Sequence, residues 1–136
     1  MPQYGLALRY FFLMSTLVLL SGLWMFVANT SLGLEETSAY YAPKSFYGLL
    51  ETVSPHLFSM GVLIFILTHF FAIVSGVAHE KFSLFSTLFF MVMLVANVSG
   101  FFITDSSIFF TLLKLLSTLM FSLFSFYALY KLFKIT

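Results

Sequence analysis

Four apolar runs, at residues 6–28, 55–78, 84–103 and 108–129, leave this chain little choice of fold. Each matches the roughly 20 residues that an α-helix needs to cross the hydrocarbon layer of a bilayer, about 30 Å thick. In lipid every backbone N–H and C=O must be paired within the spanning element, so only helices and closed barrels cross. Barrel strands alternate apolar and polar residues, and these runs do not alternate. The expected fold is all-α: a four-helix transmembrane bundle, antiparallel and up-down, forming one membrane domain over 1–136. Composition agrees. Apolar residues make up 61% of the chain and charged residues 8%, against about 45–50% and 25% in soluble domains. The lipid bilayer is therefore the expected solvent for most of the surface. The first run exceeds the apolar core of a secretory signal, and Phe26-Val27-Ala28 lacks the small-residue cleavage pattern, so it is expected to be retained.

The connections set the topology. Residues 79–83 and 104–107 are short, which forces antiparallel neighbours. The first connection, 29–54, is longer and carries Glu35, Glu36, Tyr40, Tyr41, Phe46, Tyr47 and Glu51. Its second half, 44–53, is expected to lie as a short interfacial helix with the tyrosines at headgroup depth. Ser54 and Pro55 read as the N-cap and first residue of the second span. Arg9, Lys81, Lys131 and Lys134 fall at one end of such a bundle, and Lys44 with Glu35, Glu36, Glu51 and Asp105 at the other. The positive-inside rule puts both termini in the cytoplasm and the long first loop outside, as in a bacterial inner-membrane protein.

Small and weakly polar residues allow helices in lipid to approach closely. They recur as Ser15, Gly22 and Asn29 in the first span, and Gly61, Thr68, Ala72 and Ser75 in the second. The third has Ala96, Asn97 and Gly100, and the fourth Thr111, Thr118, Ser122 and Ser125. These are the expected bundle contacts.

A net charge of +1 excludes nucleic acid as a natural partner. The absence of cysteine excludes disulfides and thiolate metal sites. The sequence has no glycine-rich phosphate loop, no H-E-x-x-H, no G-x-S-x-G and no intramembrane carboxylate pair, and no catalytic residue is assigned. Ionisable groups inside a span cost several kcal/mol and are functional candidates by default. Here they are His56, His69 and Lys114, with His79 at the inner end of the second span. The first two histidines lie roughly 20 Å apart along the helix, and His69 and His79 roughly 15 Å.

In Ser54-Pro55-His56 and Thr68-His69-Phe70 two imidazoles stand 13 residues apart on one span. This spacing resembles that of the di-haem cytochrome b group of respiratory membrane subunits, in which two histidines of one transmembrane helix each ligate a haem. The resemblance covers one helix. It implies haem b as cofactor, His56 and His69 as iron ligands, and electron transfer between quinone and a partner redox protein. Lys114 is then a candidate to hold a haem propionate. The other three spans contain no histidine. Second ligands are left to Met14, Met25, Met91 or Met93, to a second copy in a homodimer, or to a partner in a larger complex.

The residues alone support other readings. His69 is placed to hydrogen-bond Asn97 or a serine of a neighbouring helix. Glu51 and His56 are candidates for a proton-uptake or quinone-headgroup pair, or for two solvated side chains. His79, beside Glu80 and Lys81, is a further proton or quinone candidate or part of a solvated turn. Lys114 lies on the polar stripe of the fourth span, where it pairs with Asp105 or Glu51, holds an anionic lipid, or snorkels to the interface. The leading function is a b-type haem electron-transfer subunit. The alternative is a non-catalytic accessory or assembly subunit whose phenylalanine-rich faces pack on a larger membrane partner. A third reading is a homo-oligomeric channel lined by the serine and threonine stripes.

Overall fold

The computed structural model describes residues 2–75 and 79–135, with the side chains of 5–73 and 82–134. The chain forms α1 (Pro2–Thr30), α2 (Leu34–Tyr41), α3 (Phe46–Ser75), α4 (His79–Val98), a 3-10 segment (Ser99–Phe102) and α5 (Ile108–Ile135). All of these helices except α2 are long and apolar enough to cross a membrane, and no strand occurs among the described residues. The protein is a helical transmembrane bundle, as the four runs require. α4 and α5 pair most extensively, α3 packs on both, α1 lies against α5, and α2 bridges α1 and α5. α2 and the α4–α5 turn share one end of the bundle, where the Ser38 hydroxyl donates to the Thr104 carbonyl at 3.2 Å. We refer to it as the loop end, and to the opposite end, with Lys131 and Lys134, as the basic end.

The core is aromatic. At mid-level Ile64, Phe89, Met93 and Phe121 are buried together. The Phe89 ring lies 5.6 Å from Phe121, 5.8 Å from Phe85 and 5.9 Å from Phe124. A second cluster nearer the basic end joins Phe12, Leu67, Ala128, Leu129 and Leu132. Lipid is as apolar as these side chains, so burial from water does not hold the helices together; close packing and dispersion do. Coverage is uneven. In the most apolar stretch of each span, 11% of α1 and 17% of α3 is buried, against 33% of α4 and of α5.

The start of α3 corrects one expectation. Ser45 caps it: its hydroxyl accepts the Gly48 N–H at 3.2 Å and its carbonyl the Leu49 N–H at 3.0 Å. Residues 46–53 are therefore the first two turns of the spanning helix rather than a separate interfacial helix. Ser54 is no cap, and Pro55 lies inside α3, where it denies the Glu51 carbonyl its usual donor. Ending the helix there would leave several donors and acceptors unpaired near the membrane, a larger cost than one lost bond.

The rest of the first connection is compact. Ser31 and Leu32 take left-handed backbone, at φ 47° and 56°, each costing about 1–2 kcal/mol for a non-glycine residue. This reverses the chain so that Gly33 caps α2, with Glu35 and Glu36 at its electropositive first turn. α5 starts as expected: the Ser107 hydroxyl accepts the Thr104 N–H at 2.7 Å, and its carbonyl accepts the Thr111 N–H at 3.2 Å.

The small-residue stripes are bundle contacts in part. Ser15, Thr68, Ala96, Asn97, Gly100, Thr111 and Ser125 are buried, whereas Gly22, Asn29 and Ala72 are exposed. α1 meets the bundle through Phe12 and Ser15 near the basic end, which leaves the loop-end half of its stripe facing outward.

Candidate functional site

Lys114 is the one lysine buried among the described residues, with 7% of its surface exposed. α4 stops at Val98 and tightens into the 3-10 segment, and carbonyls at such a junction lose their i+4 donors. The Lys114 ammonium donates to one of them, the Ala96 carbonyl. Its other side meets an aromatic face, with Nζ 4.9 Å from the centre of the Tyr41 ring. Gly100 lines the same place: a Cβ there would meet the Tyr41 ring at 3.4 Å and the Lys114 Nζ at 4.0 Å, ordinary contact distances. Lys114 thus neither snorkels nor pairs with Asp105 or Glu51, both of which are exposed.

The sequence places Tyr41 in the first connection, among tyrosines expected at headgroup depth, and assigns it no site role. It ends α2, and its ring stands edge-on to Tyr40 at 5.0 Å. Burial pushes the Tyr41 phenol above the usual tyrosine range, and Tyr40 adds to the shift. The Lys44 ammonium lies 3.5 Å from the Tyr40 ring centre and 5.5 Å from that of Tyr41. The signal was a tyrosine pair preceding Lys44, at the same end as Gly100. It was illegible without knowing that α2 folds back over α5.

His56 and His69 face outward. Taking Ile64 as the mid-level of the bundle, His69 lies about 8 Å toward the basic end and His56 about 12 Å toward the loop end. The His69 ring is exposed, stacked on Phe65 at 6.0 Å and 16°, and edge-on to Phe70 at 6.3 Å. Neither of its nitrogens has a hydrogen-bond partner among the described residues. Asn97, the expected partner, instead donates to the Met93 carbonyl at 2.9 Å and meets the Met60 sulfur at 3.5 Å. Met60 is more than two turns from His69, so the two polar groups lie at different depths.

His56 is also exposed, with Nδ1 at 2.7 Å from the Thr52 carbonyl. A carbonyl only accepts, so Nδ1 carries the proton in this bond. Glu51 forms no ion pair with it among the described residues. Glu51 instead falls on the stripe of Phe58, Val62, Phe65 and His69, since 18 residues make five helical turns. The side chain of His79 lies outside the described residues.

Thirteen residues turn an α-helix by about 220°, so His56 and His69 point in different directions. The interior of the bundle does not fit a haem. Its centre is packed with Phe, Ile, Leu and Met side chains, and it holds no imidazole among the described residues. A cavity of about 270 Å³ between α4 and α5 is lined by apolar residues and Ser99, on other helices than His56 and His69. Of the methionines named as second ligands, Met14, Met25 and Met91 are exposed and Met93 is in the core. Any ligand of His69 would have to lie outside the bundle.

No curated protein and no solved structure matches the chain. A sequence model described as a transmembrane helical domain, Aq_1264_TM, matches residues 26–135, well over half of the chain. These residues include the end of α1, both lysines of the loop-end cluster and all of α2 to α5. The chain belongs to the Aq_1264_TM family of transmembrane helical domains.

Proposed function

We propose that this protein is a non-catalytic subunit of a larger membrane assembly, docking through the outward face of α3 onto a transmembrane helix of another chain. One observation carries the reading: His69 sits at hydrocarbon depth on the outside of the bundle with no hydrogen bond among the described residues. An imidazole facing acyl chains loses the hydrogen bonds it makes in water, a cost of about 1–3 kcal/mol or more. A partner helix offering a hydroxyl, amide or carbonyl removes that cost. Phe65, stacked on the histidine, and Phe58, further toward the loop end of the same stripe, are 63% and 76% exposed and supply the packing surface. The test is extraction from native membranes in mild detergent, followed by size and stoichiometry of the complex. The expected result is a complex of fixed stoichiometry that His69→Leu dissociates while the chain itself stays folded. A monodisperse monomer from native membranes, or an intact complex with His69→Leu, overturns the reading.

The same bare nitrogens favour a second reading, a b-type haem bound by His69 between two chains and passing electrons between quinone and a partner. A haem bound there would supply one-electron chemistry, and His69 would hold it beside the apolar side chains of Phe65 and Phe70. His56 faces elsewhere on α3 and would not share that group. A reduced-minus-oxidised spectrum of the native complex tests this: a b-type band lost with His69→Ala supports it, and its absence removes it. Cytoplasmic termini belong with these proposals, supported by the placing of Arg9, Lys81, Lys131 and Lys134 at one end.

A further inference from the structure

Two ammonium groups meet at the loop end around one pair of tyrosines. The Lys44 Nζ is 3.5 Å from the Tyr40 ring centre, and the Lys44 and Lys114 Nζ atoms are 5.5 Å and 4.9 Å from that of Tyr41. Ring faces attract cations but do not neutralise them. Four carboxylates share this end of the bundle, Glu35, Glu36, Glu51 and Asp105, and all four are exposed. Neither lysine forms an ion pair among the described residues. Two positive charges at the membrane rim, one of them buried, therefore stand without an anion from this chain. We propose that Lys44 and Lys114 form a site for the phosphate of an anionic membrane lipid, gripped by Lys44 at the rim and attracted by Lys114 behind Tyr41.

Depth identifies the lipid as the source of the anion. Lys44 lies two residues before the span Phe46–Ile73, at the level where headgroup phosphates lie. It is followed by the exposed rings of Phe46 and Tyr47, 63% and 77% accessible, which suit the headgroup boundary. Lys44 is half-buried and gives the phosphate its direct contact. Lys114 lies deeper, shielded from water, where its charge is screened less and attracts an anion more strongly.

The experiment uses the full chain, stripped of lipid in detergent and titrated by native mass spectrometry with phosphatidylglycerol, phosphatidylcholine or inorganic phosphate. Retention of one phosphatidylglycerol over phosphatidylcholine is expected on the order of tenfold, the scale set by two lysines near an anionic headgroup. Lys44→Gln, at a half-buried rim position, is expected to remove most of that preference and Lys44→Arg to keep it. Equal retention of the two lipids, or an undiminished preference in Lys44→Gln, overturns the site. Binding of inorganic phosphate as tight as that of phosphatidylglycerol overturns the lipid assignment, since the site would then serve a free anion.

Discussion

The Lys114 ammonium lies 4.9 Å from the centre of the Tyr41 ring, so a charge from the fourth span holds the short helix α2 over the end of the bundle. The same ammonium donates to the Ala96 carbonyl at the end of α4. One side chain thus ties together α2, α4 and α5. Lys114→Met keeps much of the volume but strands the carbonyl and removes the cation from the ring. The expected loss is about 1–3 kcal/mol, read as a lower thermal midpoint in detergent together with faster amide exchange in α2. Unchanged stability and exchange would show that the ammonium reaches water past Tyr41.

Tyr41 itself makes this packing sensitive to high pH. Burial favours the neutral phenol and raises its ionisation above the unfolded value near 10. A group raised in the folded state contributes fully below the unfolded value, and its contribution is lost as pH climbs through the folded one. Stability is therefore expected to be flat up to about pH 10 and to fall above it. In an ultraviolet titration of the seven tyrosines, one is expected to ionise after the others, and Tyr41→Phe should remove that late component. A Tyr41→Phe titration still showing the late component would assign it to another ring.

Pro55 is a built-in defect of α3. It lies inside the helix and offers no N–H to the Glu51 carbonyl. Pro55→Ala restores the bond and is expected to stabilise the chain, by up to about 3 kcal/mol. Hydrogen exchange should find a newly protected amide at position 55. A lower melting point would mean that the neighbouring helices are packed against the proline ring itself.

The spans were legible because their signal is length and composition, and lipid imposes both. The inward direction of Lys114 was legible too, since it shares a helical stripe with Thr111, Ser122 and Ser125. Its partners were not. The Ala96 carbonyl is freed by the 3-10 turn after α4, and Tyr41 is brought in by Ser31 and Leu32 reversing the chain through left-handed backbone, which neither residue type announces. The start of α3 was misplaced because Ser54-Pro55 imitates a cap, whereas Ser45 caps nine residues earlier. The outward direction of His69 was hidden for a reason particular to membranes. Phe58 and Phe65 face out and Leu67 and Phe70 face the bundle, yet all are apolar, so no amphipathic pattern marks the lipid side.

That equality of the two faces ends once packing is tested. Phe89 is fully buried and its ring touches those of Phe85, Phe121 and Phe124, whereas Phe58 is 76% exposed. Phe89→Ala opens a cavity at the junction of α3, α4 and α5 and is expected to cost about 3–5 kcal/mol. Phe58→Ala in the purified single chain removes only lipid or detergent contact and is expected to cost less than about 0.5 kcal/mol. In the native assembly the order changes if α3 is the docking face: Phe58→Ala should then weaken association while leaving the melting point of the isolated chain in place. Thermal unfolding of both variants, beside co-purification of Phe58→Ala from native membranes, separates the two effects. A large loss of stability in isolated Phe58→Ala would mean that this face already packs within the chain, and the docking surface would have to be sought on α1.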